Sequence, residues 1–178
     1  ADNIFVGKEY LFMKGKFVNR KAMIKAAQEV LNRIGAGDID ASASIDTLNM
    51  EDRKIVEIAR AMYDDPDVLI VDETTTALSR RGRNILYDII KKMRDSGKAV
   101  IFISHDMDEV LETCNCLAVL RDGVNVGELT REEMNLERIR YMMVGRELKG
   151  GYYREDYEGT HQGEVVLKCE NLTGRGIV

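Results

Sequence analysis

The sequence predicts an α/β fold built on a parallel sheet, and three observations predict it. First, two apolar runs, Val68-Leu69-Ile70-Val71 and Ala99-Val100-Ile101-Phe102-Ile103, end in Asp72-Glu73 and Ser104-His105-Asp106. A continuous apolar run bounded by polar signals reads as a strand buried on both faces. Second, segments of helical period alternate with short apolar runs from residue 50 to residue 121, the pattern of βαβ units with right-handed crossovers. Third, the polar residues stand at the C-terminal ends of the runs, where open α/β sheets bind ligands.

The elements follow in order. Residues 1–18 carry no clear period. Asn19 has the chemistry of an N-cap, and Ala22, Met23, Ala26, Ala27, Val30, Leu31 and Ile34 recur at helical spacing before Gly35. Residues 36–47 are small and polar and read as a loop. Residues 50–63 form a second helix with Ile55, Ile58, Ala59 and Met62 on one face. Asp64-Asp65-Pro66-Asp67 ends it and leads into strand 68–71. Helix 80–95 turns Ile85, Leu86, Ile89, Ile90 and Met93 inward, and Ser96-Gly97 ends it before strand 99–104. A short helix over 107–113 follows. Strands 117–121 and 124–128 around Asp122-Gly123 form a hairpin. Thr130 with Glu133 is a capping box that opens a helix to about Val144. Residues 145–163 are rich in Gly, Tyr and charge and read as a linker. Glu164 to Leu172 reads as a new strand, too short to fold alone. The chain opens on Ala1 in mid-pattern and closes on Gly176-Ile177-Val178, so it is expected to be part of a longer polypeptide.

Composition bounds the function. With 44% hydrophobic and 32% charged residues, the 178-residue chain is ordinary for a globular protein with a substantial core. A net charge of -5 argues against binding nucleic acid through phosphate neutralisation. No apolar run approaches a membrane span. Three cysteines, two of them spaced as Cys114 and Cys116, suggest small thiols in a reducing compartment rather than a disulfide framework or a metal site.

The chemistry concentrates at the strand ends. A first acid there can hold Mg²⁺ beside nucleotide phosphates and a second can handle a water's proton, while a histidine on the neighbouring strand reaches a γ-phosphate. Taken singly, each feature has a plainer reading: two acids at a strand end are more often solvated, and a lone histidine is more often structural. The pairs Arg80-Arg81 and Lys91-Lys92 read as the wet face of a helix.

The joint order resembles the ATP-binding cassette (ABC) ATPases, a P-loop NTPase-like α/β fold with a helical subdomain. Val68 to Glu73 is similar to the Walker B strand with its catalytic Glu. Thr74 to Ser79 stands where that family has its Pro-Thr segment and D-loop. Ser104-His105-Asp106 resembles the switch-histidine loop. Leu48-Asn49-Met50-Glu51-Asp52, leading into Arg53 to Ala61 with Val56-Glu57-Ile58-Ala59, resembles the signature loop and helix of sugar-importing members. Asn3 to Gly7 is similar to the segment after the Q-loop, and Glu170 to Gly174 to the first strand of the second cassette in fused importers.

The resemblance implies a division of the chain. Residues 1–145 would be the later part of a first cassette: 8–63 the helical subdomain and signature helix, 64–145 the Walker B and switch-histidine part. Residues 146–163 would be the linker and 164–178 the start of a second cassette. It implies ATP and Mg²⁺ as ligands, with Asp72 holding Mg²⁺ through water, Glu73 polarising the attacking water and His105 contacting the γ-phosphate. Leu48, Asn49, Met50, Glu51 and Asp52, with Ser79 of the D-loop, would face the nucleotide of an opposed cassette. It further implies a sugar importer's ATPase at the cytoplasmic face of the membrane. That ATPase would drive permease subunits fed by an extracellular or periplasmic sugar-binding protein, with residues 8–47 touching the permease and helix 19–34 as the expected contact. Two other classes stay open: a soluble double-cassette ATPase unconnected with transport, and a degenerate cassette that serves only as an interaction module.

Two departures stand out. No G-x-x-x-x-G-K-[ST] phosphate loop occurs in the chain. In the signature loop, Asn49 replaces Ser and Glu51 replaces a Gly that approaches phosphate, where a carboxylate is unfavourable by like-charge repulsion. Thr74 for Pro and Ser79 for Asp are milder differences. The expectation is weak ATP binding and no hydrolysis by this chain alone, and an asymmetric pair of sites in the parent protein.

Overall fold

The computed structural model describes residues 1–144 and Lys168. Apart from Lys168, the expected linker and the strand of the second cassette lie outside the described residues, as does Cys169. The described part opens with a short 3₁₀ turn, Glu9–Phe12, and a two-residue hairpin of β1 (Met13–Lys14) and β2 (Phe17–Val18). Helix α1 (Arg20–Ile34) starts at Asn19, whose side chain accepts from the Ala22 N–H at 3.2 Å. It stops at Gly35, which takes the left-handed φ of 88° that a side chain disfavours. Helix α2 (Met50–Met62) starts at Asn49 in the same way. Strand β3 (Val68–Asp72), helix α3 (Arg80–Asp95) and strand β4 (Ala99–Ile103) then form one βαβ unit, with β3 and β4 parallel and paired from Val68↔Ala99 to Asp72↔Ile103. Helix α4 (Met107–Thr113), the antiparallel hairpin β5 (Cys116–Arg121) and β6 (Val124–Thr130), and α5 (Leu136–Val144) complete it.

One core runs through α1, α2, β3 and α3. Helix α1 contributes Met23, Ala27, Val30, Leu31 and Ile34, α2 contributes Ile55, Val56, Ile58 and Ala59, and α3 contributes Ile85, Leu86, Ile89, Ile90 and Met93. Phe5 is fully buried and meets Phe12 and Tyr63 edge-on at 4.6 and 4.7 Å. The loop expected over 36–47 is largely that, yet Ala36, Ile39 and Ala41 are buried in the core. Gln28 holds this loop down by donating to the Ile39 carbonyl and accepting from the Ala41 N–H.

Three expectations are corrected. The apolar strands are not buried on both faces. Leu69 and Val71 point into the core, whereas Val68, Ile70, Ile101 and Ile103 are exposed, Ile70 by 63%. Among the described residues β3 and β4 form a two-stranded sheet with helices on one side only, so one apolar face has no cover. Hairpin β5–β6 pairs with neither of them. Next, the Thr130–Glu133 capping box forms, but it caps a 3₁₀ turn at Arg131–Glu133. Asn135 then accepts from the Arg138 N–H and starts α5 afresh. Finally, the basic pair Arg80-Arg81 is not simply solvated, as Arg81 is the centre of an ion-pair cluster.

Candidate functional site

Two groups of predicted residues gather at the C-terminal side of the described sheet and beside it. The first is Asp72, Glu73 and His105. The β3–β4 ladder continues past its last pair, because the Glu73 N–H donates to the Ile103 carbonyl at 3.0 Å. That bond places the residue after β3 beside the loop after β4. Glu73 sits at φ 45°, ψ 24°, a left-handed conformation that costs a non-glycine residue about 1 kcal/mol. The reversal is fixed by the 3₁₀ turn Thr74–Ala77, where the Thr76 hydroxyl donates to the Glu73 carbonyl at 2.6 Å. The outcome is a contact between His105 Nδ1 and Glu73 Oε1 at 3.3 Å, with both side chains more than half exposed. Asp72, one residue back, is also exposed. An exposed carboxylate of this kind suits Mg²⁺, which keeps most of its waters and takes one or two protein carboxylates with substrate phosphates. Among the described residues no three His, Cys, Asp or Glu side chains form a ready-made metal cage.

His105 is held by its neighbours. The Ser104 hydroxyl accepts from the Asp106 N–H at 3.0 Å and donates to Glu109 Oε2 at 3.3 Å. Asp106 caps α4 by accepting from the N–H groups of Asp108 and Glu109. Glu109 is buried, and its other oxygen lies 3.5 Å from Arg83 Nη1. Burial, and then the Glu109 carboxylate, push the Tyr87 phenol up to about 12. Sequence reasoning missed Glu109, Arg83 and Tyr87. Their spacing on α3 and α4 is ordinary for helix surfaces, and only the packing of the two helices reveals the cluster.

The second group surrounds the start of α2. The Asn49 side chain accepts from the Asp52 N–H at 2.8 Å and donates to Asp52 Oδ2 at 2.9 Å. The Leu48 carbonyl accepts from Arg53 Nε, and Met50 is 71% exposed. Glu51 does not project into open space. Its Oε1 accepts from the Ser79 hydroxyl at 2.8 Å and lies 3.6 Å from Arg81 Nη1. Arg81 also pairs with Asp52 at 3.4 Å and with Asp38 at 2.5 Å. The Arg81 guanidinium holds the Asp38 carboxyl below the usual carboxylate range. The structure therefore brings Glu73 to His105, and Glu51 and Asp52 to Ser79 and Arg81. No hydrogen bond or ion pair joins the two groups among the described residues.

Comparison with known proteins bears on what carries these groups. No family model matches the chain. The ribose import ATP-binding protein RbsA 2 of Escherichia coli O157:H7 is 41% identical over 178 residues, all of this chain and 34% of the relative. Its counterpart RbsA 1 of Burkholderia cenocepacia is 37% identical over 174 residues, 97% of this chain and 33% of the relative. The chain thus spans about a third of the length of the curated relatives it matches. Two solved structures share its fold. One is an inward-facing ABC transporter of the metal-chelate type (TM-score 0.64, 17% identity, 81% of this chain and 57% of that one). The other is a nucleotide-free ATP-binding cassette (TM-score 0.58, 18% identity, 72% and 54%). The chain is similar along its whole length to about a third of these ribose import ATP-binding proteins, and its fold is that of the two cassettes. The α/β unit has the P-loop NTPase-like fold of those structures, and the flanking helices pack on it. No helix of the described residues is long and apolar enough to cross a membrane.

Proposed function

We propose that this cassette segment carries the water-activating and phosphate-sensing half of an ATP-hydrolysing site in a monosaccharide importer, of which ribose is the sugar named in its relatives. The observation that carries the reading is the Glu73–His105 contact at 3.3 Å, made by two exposed side chains at adjacent parallel strand ends. Glu73 would take up the proton of the attacking water, and His105 would donate a hydrogen bond to the γ-phosphate. Asp72 would hold Mg²⁺ through water. A Mg²⁺ held there would supply charge neutralisation for the nucleotide's phosphates. Residues 1–145 would be the later part of a first cassette, with 8–63 the helical subdomain and 64–145 the Walker B and switch-histidine part. Residues 146–163 would be the linker and 164–178 the opening of a second cassette. Permease subunits, the second cassette and, indirectly, a sugar-binding protein would be its partners, at the cytoplasmic face of the membrane.

The second half of the proposal is asymmetry. The N–H groups opening α2 would face the nucleotide of the opposed cassette in an ordinary member, because a helix N-terminus attracts phosphate. Here Glu51 and Asp52 already place carboxylates at that end, and Ser79 and Arg81 hold Glu51 there. The site built on Glu73 and His105 would be the working one, and the site facing Leu48 to Asp52 the slow one. The permease contact expected on helix 19–34 can use only its polar side, since Met23, Ala27, Val30, Leu31 and Ile34 are buried.

The test is steady-state ATPase activity of the full-length polypeptide containing this segment. Glu73→Gln is expected to lower kcat about 10²–10⁴-fold with little change in KM. The isolated chain is expected to show no turnover. Mg-dependent turnover by the isolated chain, lost in Glu73→Gln, would overturn the reading of it as half a site.

A further inference from the structure

Residues 9–18, with Lys21 at the adjoining start of α1, form a surface that the Glu73–His105 site does not use, and a lipid contact there would lie beside the permease contact proposed on α1. Hairpin β1–β2 turns through Gly15-Lys16, with Gly15 at φ 65°, the first-position glycine of a type II′ turn. The register sets Lys14 beside Phe17 and Met13 beside Val18. Directly opposite residues share a face, so each face of the hairpin carries one of these pairs. Phe17 is 80% exposed and Tyr10, in the preceding turn, 69%. Leu11, Met13 and Val18 are exposed as well. Phe12 anchors the turn on the core through Phe5, and an exposed aromatic and aliphatic cluster above it is unusual for a surface in contact with water alone.

Its charge is opposite to that of the rest of the chain. Residues 8–25 hold six basic side chains and a single acid, Glu9, in a chain of net charge -5. Three of the six are paired: Lys8 with Asp64, Arg20 with Asp2, and Lys25 with Glu29. The side chains of Lys14, Lys16 and Lys21 make no ion pair or hydrogen bond among the described residues, and all three residues are exposed. Glu9 is turned away to accept from the Gly7 N–H. Lysines flanking exposed aromatic rings match the chemistry of a lipid–water interface, where rings enter the headgroup layer and ammonium groups meet anionic phosphates.

We propose that hairpin β1–β2 and the adjoining Tyr10 turn are a docking surface for anionic phospholipid, with Phe17 and Tyr10 entering the headgroup layer and Lys14, Lys16 and Lys21 bound to it electrostatically. Shape favours lipid over a protein partner. The surface is a protrusion whose every residue from Glu9 to Lys21 except Phe12 is exposed. Two hollows on the described surface lie elsewhere, around Lys54 to Leu86 and Leu78 to Glu112. A rigid partner would need a matching cavity of its own, whereas a headgroup layer deforms around the protrusion.

The test is co-sedimentation of the full chain with vesicles of phosphatidylcholine alone and of phosphatidylcholine with phosphatidylglycerol. No transporter subunit is present, so the outcome is separate from the ATPase reading. Binding is expected to the anionic vesicles only. Each lysine reversed to Glu should weaken it by at least about fivefold, and Phe17→Ser should weaken it with the charges intact. These positions are exposed, so the variants keep the fold, which circular dichroism checks. Raising salt from about 0.1 to about 1 M shortens the screening length from about 10 to about 3 Å and should release the chain. Three results overturn the proposal. One is absence of binding, which together with capture of an acidic permease segment would assign the surface to a protein partner. Another is anionic binding unchanged in Lys14→Glu/Lys16→Glu. The last is equal binding to both vesicle types, which would show that the lysines contribute nothing to the contact.

Discussion

Gly82 sets two opposing effects against each other where α3 packs on Leu78 and Glu51. Replacing a helical Gly by Ala stabilises by up to about 1 kcal/mol on propensity alone. Gly82 lies in the first turn of α3 and is buried. A Cβ there would fall 2.9 Å from Leu78 Cδ2, 3.0 Å from Glu51 Oε1 and 3.1 Å from Leu78 Cβ. The Glu51 carboxylate can swing away, at the expense of its bond to Ser79. Leu78 is only 4% exposed and has little room to move. Overpacking of this kind costs about 1–3 kcal/mol, so crowding outweighs propensity and Gly82→Ala should destabilise by about 1 kcal/mol. Urea unfolding followed by circular dichroism reads this directly. At a slope of about 2 kcal/mol per molar, the midpoint falls by roughly 0.5 M with the slope unchanged. Adding Glu51→Ala, which empties one side of the contact, should recover part of the loss. A midpoint that rises by a similar amount, with Ser79 and Glu51 undisturbed, would refute the packing argument.

Arg81→Ala should destabilise by at most about 1 kcal/mol near pH 7, since Arg81 and Asp38 are both substantially exposed. Asp38 has a depressed carboxyl value, so its contribution is present above the ordinary Asp value of about 3.9 and is lost as pH falls through the lowered one. Wild type and Arg81→Ala should therefore converge in stability on acidification, as urea midpoints measured between neutral pH and pH 3 would show. Glu109→Ala leaves Arg83 without its carboxylate and Ser104 without an acceptor, and should cost about 1–3 kcal/mol by the same measurement. Glu109→Gln should lower the Tyr87 ionisation from about 12 without returning it to 10, because burial is the larger cause. Difference titration at 295 nm against Tyr87→Phe resolves this. In a Cys169→Ser background, iodoacetamide should label exposed Cys116 before Cys114, whose thiol burial pushes up.

Where the fold was readable in the sequence, local chemistry decided it. Asn19 caps its helix, and Gly35 and Asp122-Gly123 supply positive φ where the chain reverses, as their residue types imply. The side-chain caps at Asn49, Ser79 and Asp106 follow the same chemistry but are seen only in the structure. The Glu73–His105 contact was also accessible, because adjacent parallel strands of similar length must end side by side. What stayed hidden depends on distance along the chain. Asp38 and Arg81 are 43 positions apart, and neither has a local signal that names the other. The exposure of Ile70 and Ile101 could not be read from an apolar run, since the run is the same whether one face is covered or two. The split at Met134 and Asn135 was missed because the capping box is equally good for a 3₁₀ turn and for a longer helix.

The left-handed backbone at Glu73 also has a consequence for how this chain can change. Glycine, and to a lesser degree asparagine, adopts φ 45° more readily than glutamate does. A population of variants screened only for resistance to heat or protease would therefore drift towards Gly or Asn at position 73. The winners would fold more securely and carry no carboxylate beside His105. On the proposed role of Glu73, retaining glutamate there requires a screen that scores ATP hydrolysis, and a library sorted both ways would separate at this position.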